Sequence, residues 1–502
     1  MLRALPLVAV LLLSGTAATA AEDTFSLTVK HIGRDGRPAA EHDTSLVNTA
    51  TWDRSRVEEG TTRLPAGRYI LQTTIPGPDG KDYLSYPDLV LDKDTEVDLD
   101  ARLAKPVDVA PPAPDVRLTS GEVFFLLEFG NDYLVDGITF EGTEKVATAH
   151  LGGVPADRKL ESMVHTEWQG RNLYDLAWFQ QGGVPTGFRR AVRPKDLAKV
   201  HERFGAPAKG KLGWAVTMPV SGNLQGFASA VPVQLPSERI AYYNEAPWQH
   251  RLYQLQPSDP PNPGDIEVML TSPIRHHRAG ADEEETFDTA VSGPALAEGW
   301  PFSVGIERVP GALSVLVPMF ADGAGHPGYS TMDSERTTLY QDGVKVGENP
   351  EAGSGYFAVT GKPATFRLET EASRTGVAEL SPKVSVAWTF RSSDDQRGLV
   401  ALSAMRFAPK LDDNDAAGAG RDFVIPVWLR DQHSETDRVP TNLTVDVSYN
   451  AGATWTPAQL AGNVAIVHHP AKTRLVSLRA KATDRFGSTV EQTIINAYRT
   501  TR

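Results

Sequence analysis

The fold class is indicated most clearly by one short stretch, Leu443-Thr444-Val445-Asp446-Val447-Ser448-Tyr449. Apolar and polar residues alternate along it, which is the period of a strand with one buried face. Alternating or otherwise strand-like runs occur elsewhere in the chain, at residues 25–32, 95–100, 123–129, 366–371, 384–390 and 490–498. Short strands at this spacing predict a mainly β protein of several sandwich domains in tandem, Ig-like or carboxypeptidase-regulatory-like, with little helix.

Turn residues join several of these runs. Asp35-Gly36 and Asp342-Gly343 both supply the positive φ that a tight turn needs, and the second pair predicts a hairpin over residues 338–347. One short helix is predicted over 194–204, since Leu197, Val200 and Phe204 would lie on one helical face. Pro194 and Gly205 fit its two ends.

The first residues are typical of an export signal. Residues 1–21 contain an early Arg3, a short apolar run and a small-residue cleavage site, Ala18-Thr19-Ala20. The chain contains no cysteine, although exported proteins are often stabilised by disulfides. The sequence therefore predicts a secreted protein whose stability comes from burial and strand pairing.

The domain boundaries follow composition. The predicted order is a signal peptide, a small sandwich, a Pro-rich linker, a β-rich domain with the short helix, a sandwich and a C-terminal Ig-like sandwich, at 1–21, 22–104, 105–116, 117–235, 236–397 and 398–502. We expect 22–104 to fold alone, with 105–114 as a hinge.

Charge and hydropathy exclude two classes of partner. The net charge is −13, from 63 acidic and 50 basic residues, whereas phosphate binding needs clustered cations. No apolar run after the first 21 residues approaches the roughly 20 residues of a membrane span. We therefore expect neither a nucleic-acid partner nor a membrane span.

No catalytic constellation can be assembled from the sequence. The stretch Gly328-Tyr329-Ser330-Thr331-Met332 lacks the second glycine of a nucleophile elbow. His326 and Asp322 lie just upstream, but members of a triad rarely crowd into one loop, so a surface loop is the preferred interpretation. We predict a protein that is not an enzyme, with no catalytic or cofactor-binding residue.

Two segments carry possible metal ligands. His276-His277 precedes Asp282-Glu283-Glu284-Glu285, which we interpret as a solvated loop of mixed charge. Asp412, Asp413 and Asp415 are weak calcium candidates, because Ala417 and Val424 stand where an EF-hand loop requires oxygen ligands. We expect an exposed acidic turn without a metal, with calcium as the alternative.

Two aromatic features have structural and ligand-binding interpretations. Ser448-Tyr449-Asn450-Ala451-Gly452-Ala453-Thr454-Trp455 resembles the Asp-box hairpin of sialidases, in which the tryptophan packs beneath the turn. We expect Trp455 to be a core anchor. A second set of aromatic residues has two interpretations, a sugar-stacking platform and packing in the core, and we prefer core packing. The set contains Trp168, Trp178, Tyr242, Tyr243, Trp248 and Tyr253.

Several segments in order resemble the region that follows the protease domain in large secreted subtilisin-like serine peptidases of Streptomyces and other actinobacteria. They include 27–39, 64–69, 100–107, 339–347, 388–392, 406–412 and 491–499. The Asp-Thr/Ser-Gly, His-Gly-Thr-His and Gly-Thr-Ser-Met-Ala segments of those peptidases do not occur here. The resemblance implies a non-catalytic accessory region exported on its own.

By this resemblance the partner would be an extracellular protein or a cell-envelope or other polymer ligand. Two alternatives stay open. One is a divergent secreted hydrolase, or a protein classed with serine peptidases only through its relatives, and the other is a structural cell-surface protein.

Overall fold

The computed structural model describes residues 23–77, 80–154, 156–227, 229–258, 260–296, 304–432, 434 and 436–501. The predicted signal peptide lies outside these residues. The first half of the chain forms strands β1 (Thr24–Ile32), β2 (Asp43–Asn48), β3 (Arg54–Arg56), β4 (Gly60–Pro65), β5 (Gly67–Gly77), β6 (Gly80–Leu91), β7 (Thr95–Asp100), β8 (Lys105–Ala110), β9 (Arg117–Phe129), β10 (Asp132–Phe140), β11 (Lys145–His150), β12 (Lys159–Gln169), β13 (Leu173–Gln181), β14 (Phe188–Ala191), β15 (Leu197–Phe204), β16 (Leu212–Ser221), β17 (Leu224–Gln225), β18 (Val231–Gln234), β19 (Ser237–Asn244) and β20 (Pro247–Leu255).

The second half continues with β21 (Ile266–Thr271), β22 (Arg275–His276), β23 (Asp282–Phe287), β24 (Gly305–Val309), β25 (Ala312–Leu316), β26 (Gly328–Ser330), β27 (Ser334–Gln341), β28 (Val344–Asn349), β29 (Ser354–Ala358), β30 (Ala364–Ser373), β31 (Lys383–Ser392), β32 (Gly398–Leu399), β33 (Ser403–Phe407), β34 (Ala416–Gly418), β35 (Asp422–Asp431), β36 (Asp437–Arg438), β37 (Thr441–Ser448), β38 (Thr456–Pro457), β39 (Gln459–Ala461), β40 (Val464–His468), β41 (Leu475–Thr483) and β42 (Thr489–Thr501).

Helix is confined, within the described residues, to three short 3-10 turns, Ala101–Leu103, Pro194–Asp196 and Pro263–Asp265. The predicted mainly β fold class is therefore confirmed. None of the helices in the described part of the chain has the length and apolar character needed to cross a membrane.

The chain divides into two compact units. The first consists of 1–109, 125–162 and 180–190, and the second of 110–124, 163–179 and 191–502. Both units are therefore discontinuous in sequence. The domain boundaries given above stay predictions.

The first unit contains a sandwich of two sheets. A three-stranded sheet, β4-β1-β7, packs on a seven-stranded sheet, β14-β8-β11-β6-β5-β2-β3. Leu27 and Val29 of β1 meet Leu46 of β2 and Leu71 of β5 in the core between them. The predicted linker 105–116 contributes β8 to the larger sheet, where Lys105 and Pro106 pair with β11, so this half of it is not a free linker.

The largest sheet of the second unit has nine strands. Its main path is β28-β27-β30-β31-β42-β41-β37-β38, with β34 beside β42. One face packs on two smaller sheets, through residues such as Phe366, Trp388 and Ile494 on one side and Leu313 and Val427 on the other. Strands from both sides of residue 397 lie in this one sheet, so the predicted boundary at 397/398 does not separate two sheets.

The predicted hairpin over 338–347 is confirmed. β27 and β28 pair antiparallel, and Asp342 and Gly343 between them both have positive φ, 48° and 83°. The predicted helix over 194–204 is wrong, because residues 197–204 form β15 between β19 and β23. Glu202 misled the interpretation, since this acidic residue is buried and the true pattern has period two.

Candidate functional site

A groove of about 600 Å³ lies on the solvent-facing side of the nine-stranded sheet. We call it the sheet groove. It is lined by alternate residues of the central strands, whose intervening residues point into the core. On β30, for example, Phe366 and Leu368 are buried while Arg367, Glu369 and Glu371 line the groove. The period-two pattern of the strands therefore creates the lining directly.

The register of the strands places twelve of the twenty lining residues in two rows across six strands, β27, β30, β31, β42, β41 and β37. One row contains Thr338, Glu369, Ala387, Glu491, Lys481 and Thr444. The other contains Arg336, Glu371, Ser385, Thr493, Arg479 and Asp446. Six strands span about 24 Å, since neighbouring strands lie about 4.8 Å apart.

The depression in the sheet groove arises from side-chain size. Ser385 and Ala387 on β31 are small, whereas the residues opposite them on β30, Glu371 and Glu369, are long. On the other side, β42 places Glu491 opposite Ala387. Small residues therefore form the floor, and long charged residues form walls on both sides.

Ion pairs hold the walls. Arg367 Nε donates to Glu369 Oε1 at 2.7 Å, and its Nη2 reaches Glu491 Oε2 on the far side at 3.4 Å. Lys481 Nζ donates to Glu491 Oε1 at 2.8 Å, and this hydrogen bond is the main reason that the pKa of Glu491 is lowered. The walls thus place cationic donors beside carboxylate acceptors.

The charges of the sheet groove balance. Its lining contains five cationic side chains and five acidic ones, Arg336, Lys345, Arg367, Arg479 and Lys481 against Glu348, Glu369, Glu371, Asp446 and Glu491. Hydroxyl and amide groups lie among them, and Tyr340 adds one aromatic ring. This surface can donate and accept many hydrogen bonds without favouring a ligand of either charge.

The residues considered for a triad are buried, so their interpretation as a surface loop is wrong. Asp322 Oδ2 lies 3.0 Å from His326 Nδ1, and Glu285 Oε1 lies 3.1 Å from His326 Nε2. Ser330 Oγ instead donates to the backbone carbonyl of Thr331 at 3.1 Å. Within the described residues, no hydrogen bond joins Ser330 to His326.

His326 is also in the wrong protonation state for a general base. Burial opposes its charge, but Asp322 and Glu285 outweigh burial and raise the pKa to about 9. A base works best with a pKa near the operating pH. A second triad, which the sequence did not reveal, has the same character: Glu122 and Asp175 each lie 2.5 Å from a nitrogen of buried His165.

The segment 276–285 is only partly a solvated loop. His276 is exposed, but His277 is buried, with its Nδ1 2.8 Å from Glu283 Oε2 and its Nε2 3.1 Å from His250 Nε2. Glu285 is also buried and pairs with Arg275 at 2.7 Å. Two partly exposed side chains, Arg275 and Glu283, therefore pair with the buried Glu285 and His277.

The acidic turn of the weak calcium candidates directs two carboxylates to backbone amides. Asp412 Oδ1 accepts from the amides of Asn414 and Ala416, both at 2.9 Å. Asp415 is buried and accepts from the amide of Ala290 at 2.8 Å. Asp413 is exposed and lies 3.6 Å from Arg203. The expectation of no metal here stays a prediction.

The Asp-box-like hairpin forms, but its tryptophan is not a core anchor. Asn450 Oδ1 accepts from the amide of Thr454, and Ser448 Oγ accepts from the amide of Gly452, both at 2.9 Å. Trp455 is half-buried, with the Arg479 guanidinium 4.8 Å from its ring centre. The polar side chains that pin this turn were correctly identified, and the depth of the indole was not.

The aromatic set divides between core and partly exposed positions. Tyr243 and Trp248 are fully buried, and the Trp248 indole donates to the backbone carbonyl of Asn244 at 2.9 Å. Four members are half-buried or nearly so, Trp168, Trp178, Tyr242 and Tyr253. Tyr242 stacks on Tyr174 at 4.8 Å, so its ring face is already covered.

No protein-family model matches the chain, and no curated protein matches it. Among solved structures it is similar to Sidekick-1 immunoglobulin domains 1–5, with 10% identity over 96% of each chain and a TM-score of 0.13. It is also similar to the Bacillus anthracis TIE protein, with 10% identity over 70% of each chain and a TM-score of 0.13, and to the four N-terminal Ig domains of Dscam1 isoform 1.9, with 9% identity over 94% of this chain and 99% of that one and a TM-score of 0.11. TM-scores this low carry no argument about fold or function.

Proposed function

We propose that this protein is a non-catalytic binding protein that acts outside the cell and holds a neutral, hydroxyl-rich polymer, an extracellular polysaccharide, in the sheet groove. The observation that carries the proposal is the charge-balanced lining across six strands. A polysaccharide presents many hydroxyl groups that both donate and accept, which matches alternating guanidinium, ammonium, carboxylate and hydroxyl groups.

The length of the sheet groove supports a polymer over a small molecule. The groove extends about 24 Å across six strands, which is long enough for several sugar rings in a row. The compensated charge argues against polyanions and polycations, since either would meet five like charges. The buried, protonated state of His326 and His165 supports the non-catalytic assignment, because neither side chain is available as a base at neutral pH.

The resemblance to the region after the protease domain of secreted subtilisin-like peptidases supports an accessory role. A protein that holds an envelope or matrix polymer would keep a separately encoded peptidase near its substrate. This role rests on the polymer-binding proposal and on the predicted export signal at residues 1–21.

The test uses a substitution that fills the floor of the sheet groove with a larger side chain. Ala387→Arg adds a long side chain on the groove face of the sheet, between Glu369 and Glu491. We expect the wild-type chain to sediment with at least one neutral insoluble polysaccharide, such as cellulose, chitin or a β-glucan, and the variant to lose affinity by about tenfold or more. Affinity electrophoresis against soluble glycans provides the second measurement.

The matched control is Ser314→Arg, which adds the same side chain at a half-buried position on β25. Ser314→Arg should bind like wild type. Equal binding by wild type and Ala387→Arg would place the ligand elsewhere, and failure of the wild-type chain to bind any neutral polysaccharide would refute the proposal.

A further inference from the structure

Three potential metal ligands converge in the first unit from separate parts of the sequence. His31 lies on β1, His42 directly precedes β2, and Glu59 lies between β3 and β4. One ligating atom from each lies within 4.8 Å of the other two. Among the described residues, this is the one group of three or more histidine or acidic side chains with that spacing.

The inner ligand is fixed in place. The His31 ring is buried, and its Nε2 lies 2.8 Å from Thr44 Oγ1, which in turn lies 2.7 Å from Thr73 Oγ1. This polar contact leaves Nδ1 directed at Glu59 Oε2, at 2.8 Å. Such a partner on the second ring nitrogen is the usual way that a protein orients a metal-binding histidine.

The other two ligands face solvent. The Glu59 side chain is 54% exposed, and His42 is half-buried in the segment before β2. The His42 ring stacks on the His31 ring, with centres 3.5 Å apart and planes 5° from parallel. An ion can therefore enter from solvent. His42 Nδ1 lies 3.3 Å from Thr44 Oγ1, and because stacked rings direct their nitrogens in parallel planes, the outer His42 ring would have to turn to share an ion with His31 Nδ1.

We propose that His31, His42 and Glu59 form a binding site for one divalent transition-metal ion of the Zn²⁺, Ni²⁺ or Cu²⁺ class. Two imidazole nitrogens and one carboxylate oxygen form the ligand set that this class prefers, and water completes the coordination. The hard cations Ca²⁺ and Mg²⁺ prefer oxygen ligands and are not expected to bind.

The protonation states agree with this assignment. Burial is the largest influence on His31 and lowers its pKa, so the ring is neutral at neutral pH. The hydrogen bond with His31 lowers the pKa of Glu59 and keeps the carboxylate ionised. Binding through Nδ1 then requires only a change of tautomer, in which the one proton of the neutral His31 ring moves to Nε2 and is donated to Thr44 Oγ1.

The ion would act as a cross-link. It would join β1 of the three-stranded sheet to the segment before β2 of the seven-stranded sheet, in a chain that contains no cysteine. Metal binding to the folded state stabilises that state by mass action. The site would therefore replace the disulfide that exported sandwich domains commonly use.

The experiment uses the full chain, purified without a histidine tag and stripped with a chelator. Zn²⁺ and Ni²⁺ are titrated by calorimetry, Co²⁺ is followed by its visible absorption, and thermal unfolding is measured with and without Zn²⁺. We expect one ion per chain and a higher unfolding midpoint. His42→Ala and Glu59→Gln should each weaken affinity by about tenfold or more and abolish the midpoint shift.

The control is His468→Ala, which removes an exposed histidine paired with Asp422 in the second unit and should leave binding unchanged. Far-UV circular dichroism verifies that the variants fold. We expect them to fold, because neither His42 nor Glu59 is in the core. No binding of Zn²⁺, Ni²⁺ or Co²⁺, or binding that His42→Ala and Glu59→Gln leave intact, would overturn the proposal.

Discussion

His326 is held between two carboxylates in the interior of the second unit, and Asp322 and Glu285 compensate the charge that burial disfavours. His165 is held in the same way by Glu122 and Asp175, and its pKa is raised to about 10 despite burial. Both imidazolium ions are therefore structural cations. Each depends on its two fixed carboxylate partners for the stabilisation that water would otherwise give a charged ring.

The His326 triad makes stability depend on pH. The pKa of His326 is about 9 in the folded chain and about 6.5 when unfolded. Its contribution, about 3 kcal/mol, is complete below pH 6.5 and is lost as the pH rises through 9. We expect the free energy of urea unfolding to fall between pH 6.5 and 9.5, and to fall less steeply in His326→Gln.

The comparison with His468→Gln isolates the effect, because His468 is exposed and pairs with exposed Asp422. That variant should keep the wild-type slope. Equal slopes for wild type and His326→Gln would mean that the triad carries no extra proton in the folded state.

At the scale of the element, the β27–β28 hairpin depends on two residues in the left-handed region. Gly343 has φ 83°, and no atom lies within 4 Å of the position that a Cβ would take. Backbone strain is therefore the only cost of a side chain there. We expect Gly343→Ala to destabilise the protein by about 1 kcal/mol, measured as a shift in the urea midpoint.

Gly376 is the matched control for Gly343. It is exposed, its φ lies outside the left-handed region, and the nearest atom to an added methyl group would be Asp333 Oδ1 at 3.8 Å. Gly376→Ala should change stability by less than about 0.5 kcal/mol. Equal effects of the two substitutions would show that φ at 343 does not limit the turn.

At the scale of the whole molecule, the first unit needs segments far apart in sequence. β11 pairs in parallel with β6, from Lys145 opposite Gly80 to His150 opposite Ser85, and β8 pairs with β11. A fragment of residues 22–104 lacks both strands and exposes one edge of β6. The expectation that this fragment folds alone is therefore revised.

We expect fragment 22–104 to unfold with a broad, weakly cooperative transition in urea, followed by far-UV circular dichroism and intrinsic fluorescence. Fragment 22–190 contains every segment of the first unit and should unfold more sharply. A sharp transition in the shorter fragment, with a midpoint equal to that of the longer one, would contradict this.

Sequence reasoning succeeded where the determining interactions are local. The alternation at 443–449 and the pair Asp342-Gly343 specify a strand and a turn without reference to distant residues. It failed at 194–204, because the partner that buries Glu202, Arg239, is 37 residues away. How deeply a side chain such as Trp455 is buried also depends on packing against residues that are distant in sequence.

The two candidate sites show the same limit. The alternating charges of Arg367, Glu369 and Glu371 are visible in the sequence, but their meeting with Glu491 requires the register of three strands. His31, His42 and Glu59 match no metal-binding spacing, since they lie on three segments that only the folded sandwich brings together. The stacking of the His31 and His42 rings produces no periodic pattern in the sequence.

The alternation of the two units along the chain sets the order in which the protein can be completed during synthesis. Strand β13 pairs in parallel with β19, with Leu173 opposite Ala241, so the earlier strand must wait for 68 more residues. At roughly 5–20 residues per second, this delay lasts several seconds. Strands β9, β12 and β13 carry residues of the second unit but are made before the first is finished. These three apolar strands are therefore segments of the nascent chain that chaperones have several seconds to bind.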